Sequence, residues 1–95
     1  MTDTTTRRVA LVADARHYVG PEMSRMLARR GHDLVLGDPD PELVVELEGL
    51  GATVVAVEKV SNIAKPENSQ KLVDAALSSF GHFDAAVAAS GQIIP

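Results

Sequence analysis

Four short apolar runs, separated by amphipathic stretches, set the rhythm of this chain. The first is "VALVA", residues 9 to 13, an unbroken apolar run of the kind seen in strands covered on both faces. "DLVLG", residues 33 to 37, predicts a second strand, closed by "DPDP". The β-branched run "ATVVAV", residues 52 to 57, predicts a third, and "DAAVAAS", residues 84 to 90, a fourth. Between the first two, "PEMSRMLARRG" places Met23, Met26, Leu27 and Arg30 on one helical stripe. Pro21 suits the first helical position, Arg29 and Arg30 suit the C-terminal dipole, and Gly31 suits the stop. Residues 42 to 50 read as a short helix with Leu43, Leu47 and Leu50 inward. A third helix opens at Pro66, carries Leu72, Val73, Ala76, Leu77 and Phe80 on its apolar side, and stops at Gly81.

The pattern is βαβαβαβ. Strands joined through helices run parallel, with right-handed crossovers. The most economical arrangement is an α/β fold, the first half of a Rossmann-like doubly wound parallel sheet with strand order 3-2-1-4. Ninety-five residues suffice for one compact unit of this kind and not for two.

Composition narrows the function classes. Nine basic against thirteen acidic residues give a net charge of -4, which excludes a nucleic-acid footprint and argues against an anionic membrane surface. There is no cysteine, hence no disulfide, thiolate nucleophile or thiolate metal site. The apolar runs fall well short of the roughly 20 residues that span a bilayer. The opening "MTDTTTRR" lacks the apolar core of a secretory signal, so the cytoplasm is the expected compartment.

The segments "ALVADARHYVG", "LVLGDPDPELVVELEGLGATVVAV" and "LVDAALSSFGHFDAAVAASG" resemble, in order and spacing, the N-terminal half of short-chain dehydrogenases/reductases. The polar N-terminal residues read as a flexible tail over 1–7, and the resemblance, which runs from about Arg8 to Gly91, implies half of a dinucleotide-binding domain over 8–95. It also implies NAD(P)-dependent hydride transfer between a carbonyl and an alcohol on a small-molecule substrate. The family's catalytic Tyr-x-x-x-Lys pair cannot form here, because Tyr18 is the one tyrosine and position 22 is Glu22. No catalytic residue is therefore expected within these 95 positions.

The family's first turn reads Thr-Gly-x-x-x-Gly-x-Gly. Here Ala13, Asp14, Tyr18 and Gly20 stand at its fixed positions, and only Gly20 matches. That last glycine serves close packing of helix on strand. Asp14 costs about 1 kcal/mol if the turn requires a left-handed backbone. Its carboxylate ~4 Å from a pyrophosphate repels it by roughly 1 kcal/mol in water and about 4 kcal/mol at an effective dielectric of 20. That is about one to three decades of affinity. Arg16 is the fixed cation of the turn and offsets part of this.

The resemblance carries further positions. Asp38, at the end of the second strand and 18 residues after Gly20, corresponds to the carboxylate that binds the ribose hydroxyls. It favours NAD over NADP. A second reading is that Asp38 in "GDPDP" only caps its turn or the next helix. After the third strand the family has Asp-Val; Lys59 replaces the Asp and Val60 matches. After the fourth strand it has Asn-Asn-Ala-Gly; "AASG" retains Gly91. Arg16, Gly20, Asp38, Val60 and Gly91 are thus the candidate cofactor contacts.

Other constellations read as ordinary structure. His17, His32 and His82 lie in turns without ligand spacing, so no metal is expected. Glu42, Glu46 and Glu48 form the wet side of a helix, and Met23 and Met26 fill core gaps. A receiver-like phosphoacceptor domain needs an Asp after the third strand, where this chain has Glu58 and Lys59. The stronger rival is a relative that keeps the fold as a structural subunit without a dinucleotide. The apolar 84–90 strand leaves an edge to be covered, and a homo-oligomer or related subunit is the expected cover.

Overall fold

The computed structural model describes residues 7–16, 19–60 and 65–87. Strand β1 (Arg8–Val12) leads to helix α1 (Gly20–Arg29) and strand β2 (His32–Gly37). Helix α2 (Pro41–Gly49), strand β3 (Val54–Val57), helix α3 (Pro66–Phe80) and strand β4 (Ala85–Val87) follow. The four strands form one parallel sheet in the order β3-β2-β1-β4. Of the tail expected over 1–7, residues 1–6 lie outside the described residues, and so do 88–90 of the expected fourth strand.

Strand periodicity sorts the core into two layers. Ala10 and Val12 of β1, with Leu34 and Leu36 of β2, face α1 and α2, where they meet Leu27, Ala28, Leu43 and Leu47. Val9, Leu11 and Val35 face the other way, onto Leu72 and Ala76 of α3. Both central strands are buried on both sides, as their unbroken apolar runs require. β3 and β4 flank them and are only half-buried.

Helix α1 presents a narrower face than its sequence stripe suggests. Its buried residues are Gly20, Ser24, Leu27 and Ala28, while Met23 and Met26 are half-buried and Arg30 is exposed. The cause is close approach. A Cβ on Gly20 would lie 1.9 Å from the backbone oxygen of Asp14, so the helix start rests directly on the turn after β1. Small residues line that contact, and the Ser24 hydroxyl donates to the Gly20 carbonyl at 2.8 Å. Leu50 and Leu77, expected inward, are exposed at 42% and 49%. Leu50 follows the last turn of α2, and Leu77 sits one position round the helix from buried Ala76.

The amino ends of the strands are held by two aspartates. Asp33 is buried; its Oδ1 accepts from Arg7 Nε at 2.8 Å and from the Thr53 N–H at 2.9 Å, joining β2 to its neighbours. Asp84 Oδ2 accepts the Val9 N–H at 2.8 Å and lies 3.2 Å from His82 Nδ1. The Val9 hydrogen bond is the main reason that the Asp84 carboxyl is held below its ordinary 3.8, with the His82 charge adding to it. A carboxylate depressed in the folded state stabilises the fold above its unfolded pKa and loses that effect as pH falls through the folded value. Thermal melts in acid should therefore show a steeper loss of Tm for the wild type than for Asp84→Asn. Parallel slopes would refute the link between β4 and this carboxylate.

Candidate functional site

The carboxyl ends of β1, β2 and β3 lie side by side at one end of the sheet, where doubly wound folds form their crevice. β1 ends at Val12, and the chain stays tied to its neighbours through two backbone bonds. Ala13 donates to Val87 O at 3.0 Å and Ala15 donates to Gly37 O at 2.8 Å. Gly37 allows this crossing, since a Cβ there would lie 2.0 Å from the Ala13 oxygen. Nothing in the sequence pattern marked that role for Gly37.

Asp14 does not carry the backbone cost expected of it. The left-handed non-glycine residues among those described are Asp38 and Lys59, so Asp14 makes its turn with an ordinary backbone. The side chain is buried, and Oδ1 accepts the Arg16 N–H at 3.0 Å. The carboxylate thus closes its own turn, as aspartate does in an Asx-turn. Tyr18 and His17 lie outside the described residues.

Asp38 is the knot of the crevice. Its backbone sits at φ 51°, in the left-handed region that Asp tolerates better than most residues. Its N–H donates to Val57 O at 2.8 Å. Its Oδ1 accepts the Lys59 N–H at 2.6 Å and its Oδ2 the Val60 N–H at 2.9 Å. Its carbonyl accepts from Arg16 Nε at 3.1 Å. Neither of these two carboxylate bonds goes to α2, whose N-cap is Asp40 and lacks a side-chain cap bond. They reach across the sheet end, to a segment more than 20 residues later.

Of the candidate contacts, Arg16, Asp38 and Val60 are linked directly by these bonds. Gly20 stands behind them, packed on Asp14. Val60 is fully buried and Arg16 exposed. Gly91 lies outside the described residues. Lys59, whose N–H is the shorter of the two donors to Asp38, was read from sequence only as a lost contact; its left-handed backbone (φ 62°) was not visible there.

Two hollows flank the crevice. One of about 230 Å³ lies between α1 and α2, beside the turn, and is lined by Ala15, Pro21, Arg25, Asp40, Leu43 and Glu46. Arg25 is paired there with Glu46 at 2.8 Å and with Glu22, and both carboxylates raise its pKa. The second, of about 310 Å³, is apolar and lies on the opposite face beside β4, among Leu11, Leu72, Val73, Phe83 and Val87. Among the described residues no three acidic or histidine side chains converge as for a metal ion. No described helix is long and apolar enough to cross a membrane.

Comparison with known proteins places this geometry. No family model matches the chain. A tetrahydroxynaphthalene reductase of Pestalotiopsis fici is 29% identical over 90 residues, which cover 90% of this chain and 32% of that protein. Among solved structures, a 3-oxoacyl-[acyl-carrier protein] reductase from Brucella melitensis in complex with NAD matches at 31% identity with a TM-score of 0.70. That match covers 87% of this chain and 33% of the other. A putative short-chain dehydrogenase/reductase from Sinorhizobium meliloti matches at 32% identity and a TM-score of 0.72, over 90% of this chain and 41% of that one. The chain spans about a third of the length of the curated relative and of the first of these structures. In sequence and in fold, this chain matches the N-terminal part of the short-chain dehydrogenases/reductases.

Proposed function

We propose that the crevice binds the adenosine end of NAD, in an oxidoreductase that moves hydride between a carbonyl and an alcohol on a small molecule. One observation carries this reading: Arg16, the cation of the turn, and Asp38 and Val60, carried over by the resemblance, come from three separate places in the chain and form one hydrogen-bonded group. The Asp38 carboxylate is held in place by two backbone N–H groups. A carboxylate has about four acceptor positions, so it accepts hydroxyl donors alongside such N–H groups. The residues present therefore fit a ribose diol. Val60, its side chain packed in the core, holds the Asp38 carboxylate through its N–H, Arg16 steadies the Asp38 carbonyl, and Gly20 lets the helix start approach the turn. NAD, when bound, supplies the site that gives or accepts hydride. Within this chain the residues bind and orient it, and none is a proton donor for the reaction.

A 2′-phosphate beside Asp38 meets a like charge, so NADPH should bind more weakly than NADH, by about one decade or more. Calorimetric titration of the chain with each cofactor tests the proposal. Saturable NADH binding below about 1 mM, with NADPH weaker, is the expected result. No heat from either cofactor across that range overturns it. The second reading, a structural relative without a dinucleotide, draws its support from Asp14, whose charge is built into the phosphate turn. On either reading the outer edge of β4, which pairs with β1 on its inner side, is where we place another subunit, a second copy or a related chain.

A further inference from the structure

Helix α3 is apolar over more of its circumference than the sheet covers. Asn68, Leu72 and Ala76 are buried against the strands, Val73, Ala75 and Phe80 are half-buried beside them, and Leu77 is exposed. At about 100° per residue, the apolar arc from Ala75 round to Leu77 spans about 200°. A helix resting on one sheet needs little more than about 100°. The surplus is the ridge Ser69, Val73 and Leu77, spaced by four residues and free of charge. It runs beside the apolar hollow next to β4, which Ser69 and Val73 line together with Phe83, Ala86 and Val87. Phe83 is 40% exposed, and no described strand pairs with the outer side of β4. The 15 residues of α3 reach about 22 Å, and with the margin of β4 beside them the patch covers roughly 400 Å². A contiguous apolar patch of that size marks an interaction site. Val45 and Leu50, exposed at α2, stand instead among Glu42, Glu46 and Glu48.

We infer, building on the subunit placed above at the edge of β4, that a second copy of this chain covers this face through a two-fold contact of α3 with α3, with Val73 at the axis. Three features select a copy. The ridge is its own complement. Laid antiparallel on itself, it sets Val73 against Val73, and the large Leu77 of each copy against the small Ser69 of the other, as an isologous interface requires. Ridges of this spacing interdigitate at a crossing angle of about -50°, and Leu77 then enters at the Ser69 wall of the other copy's hollow. Charge points the same way. Each copy carries a net charge of -4 and repels another over much of its surface, whereas this ridge presents none, with Lys71 and Asp74 on the polar side of the helix. Size sets the strength. Roughly 400 Å² from each copy falls among the reversible interfaces that bury less than about 1,200 Å² in total, so the dimer dissociates at about 1–100 µM.

Sedimentation equilibrium of the full chain, at concentrations from about 1 µM to about 300 µM, reads the dimer directly. The wild type should pass from monomer to dimer across that range and go no further. Leu77→Lys and Ser69→Asp, both at exposed positions that leave the monomer folded, should each weaken the dimer about tenfold or more. The two substitutions together should recover most of that loss, because the two-fold axis pairs each new cation with a new carboxylate of the other copy. Circular dichroism of the diluted variants checks that their helices are intact. A monomer at every concentration overturns the inference, and so does an open series of larger species. A dimer indifferent to both single substitutions places the contact elsewhere and overturns it too. Single losses that the double variant does not recover rule out the antiparallel register about Val73. NADH titration reads the dinucleotide site separately, so failure of either proposal is told apart from failure of the other.

Discussion

Gly20→Ala should destabilise the chain by about 3 kcal/mol. The added Cβ would lie 1.9 Å from the Asp14 oxygen and 3.0 Å from the Ala15 Cα, and both of these are backbone atoms. Neither can rotate away, so the start of α1 must lift from the sheet. Ser24, Leu27 and Ala28, buried on the same face, lift with it. The loss is read from the urea midpoint at constant m-value. A shift equivalent to less than about 1 kcal/mol would mean that the helix is not seated as described.

Asp38→Ala should act on stability and selectivity at once. The Val60 N–H lies in a fully buried residue and would lose its acceptor, at a cost of about 1–3 kcal/mol. Alanine at φ 51° adds about 1 kcal/mol of backbone strain. The expected total is about 2–4 kcal/mol. Asp38→Asn keeps an acceptor oxygen and tolerates the left-handed backbone, so it should recover part of that loss. On the proposed reading both variants remove the charge facing a 2′-phosphate, and NADPH should approach NADH in affinity. An unchanged urea midpoint for the alanine variant would show that the knot across β2 and β3 carries no weight. Retained discrimination in the asparagine variant would show that Asp38 does not face the ribose.

The architecture was legible because the two central strands are apolar at every buried position but Asp33. The three helices carry their own start and stop residues, Pro21, Pro66, Gly31 and Gly81 among them. Gly31 and Gly81 take the positive φ expected of helix ends. Strand order followed from the βαβαβαβ pattern as the most economical doubly wound arrangement, and the sheet has that order. Finer packing was less legible. Leu50 and Leu77 are leucines on helices that lean only one narrow face on the sheet, and hydrophobicity alone does not mark which turn is last. The burial of Asp33 was also hidden, because its partners Arg7 and Thr53 come from different parts of the chain.

For the candidate site, the sequence named positions and not the bonds between them. Asp38 and Val60 were each singled out, yet the bond between them crosses 22 residues and leaves no local signal. The same holds for Arg16 and the Asp38 carbonyl. The outcome for Asp14 differed in kind. A missing glycine suggested a strained turn, whereas the aspartate side chain supplies its own hydrogen bond and the backbone stays ordinary.

Amide-resolved NMR titration with NADH tests most directly whether the strand ends beside Gly20 and Asp38 are where a nucleoside sits. Saturating shifts should centre on the backbone amides of Ala15, Arg16, Gly20, Asp38, Lys59 and Val60, with those of Asp33 and Asp84 at the opposite strand ends unmoved. Shifts gathered instead around Phe83 and Leu72 in the apolar hollow, or spread evenly over the chain, would contradict the account.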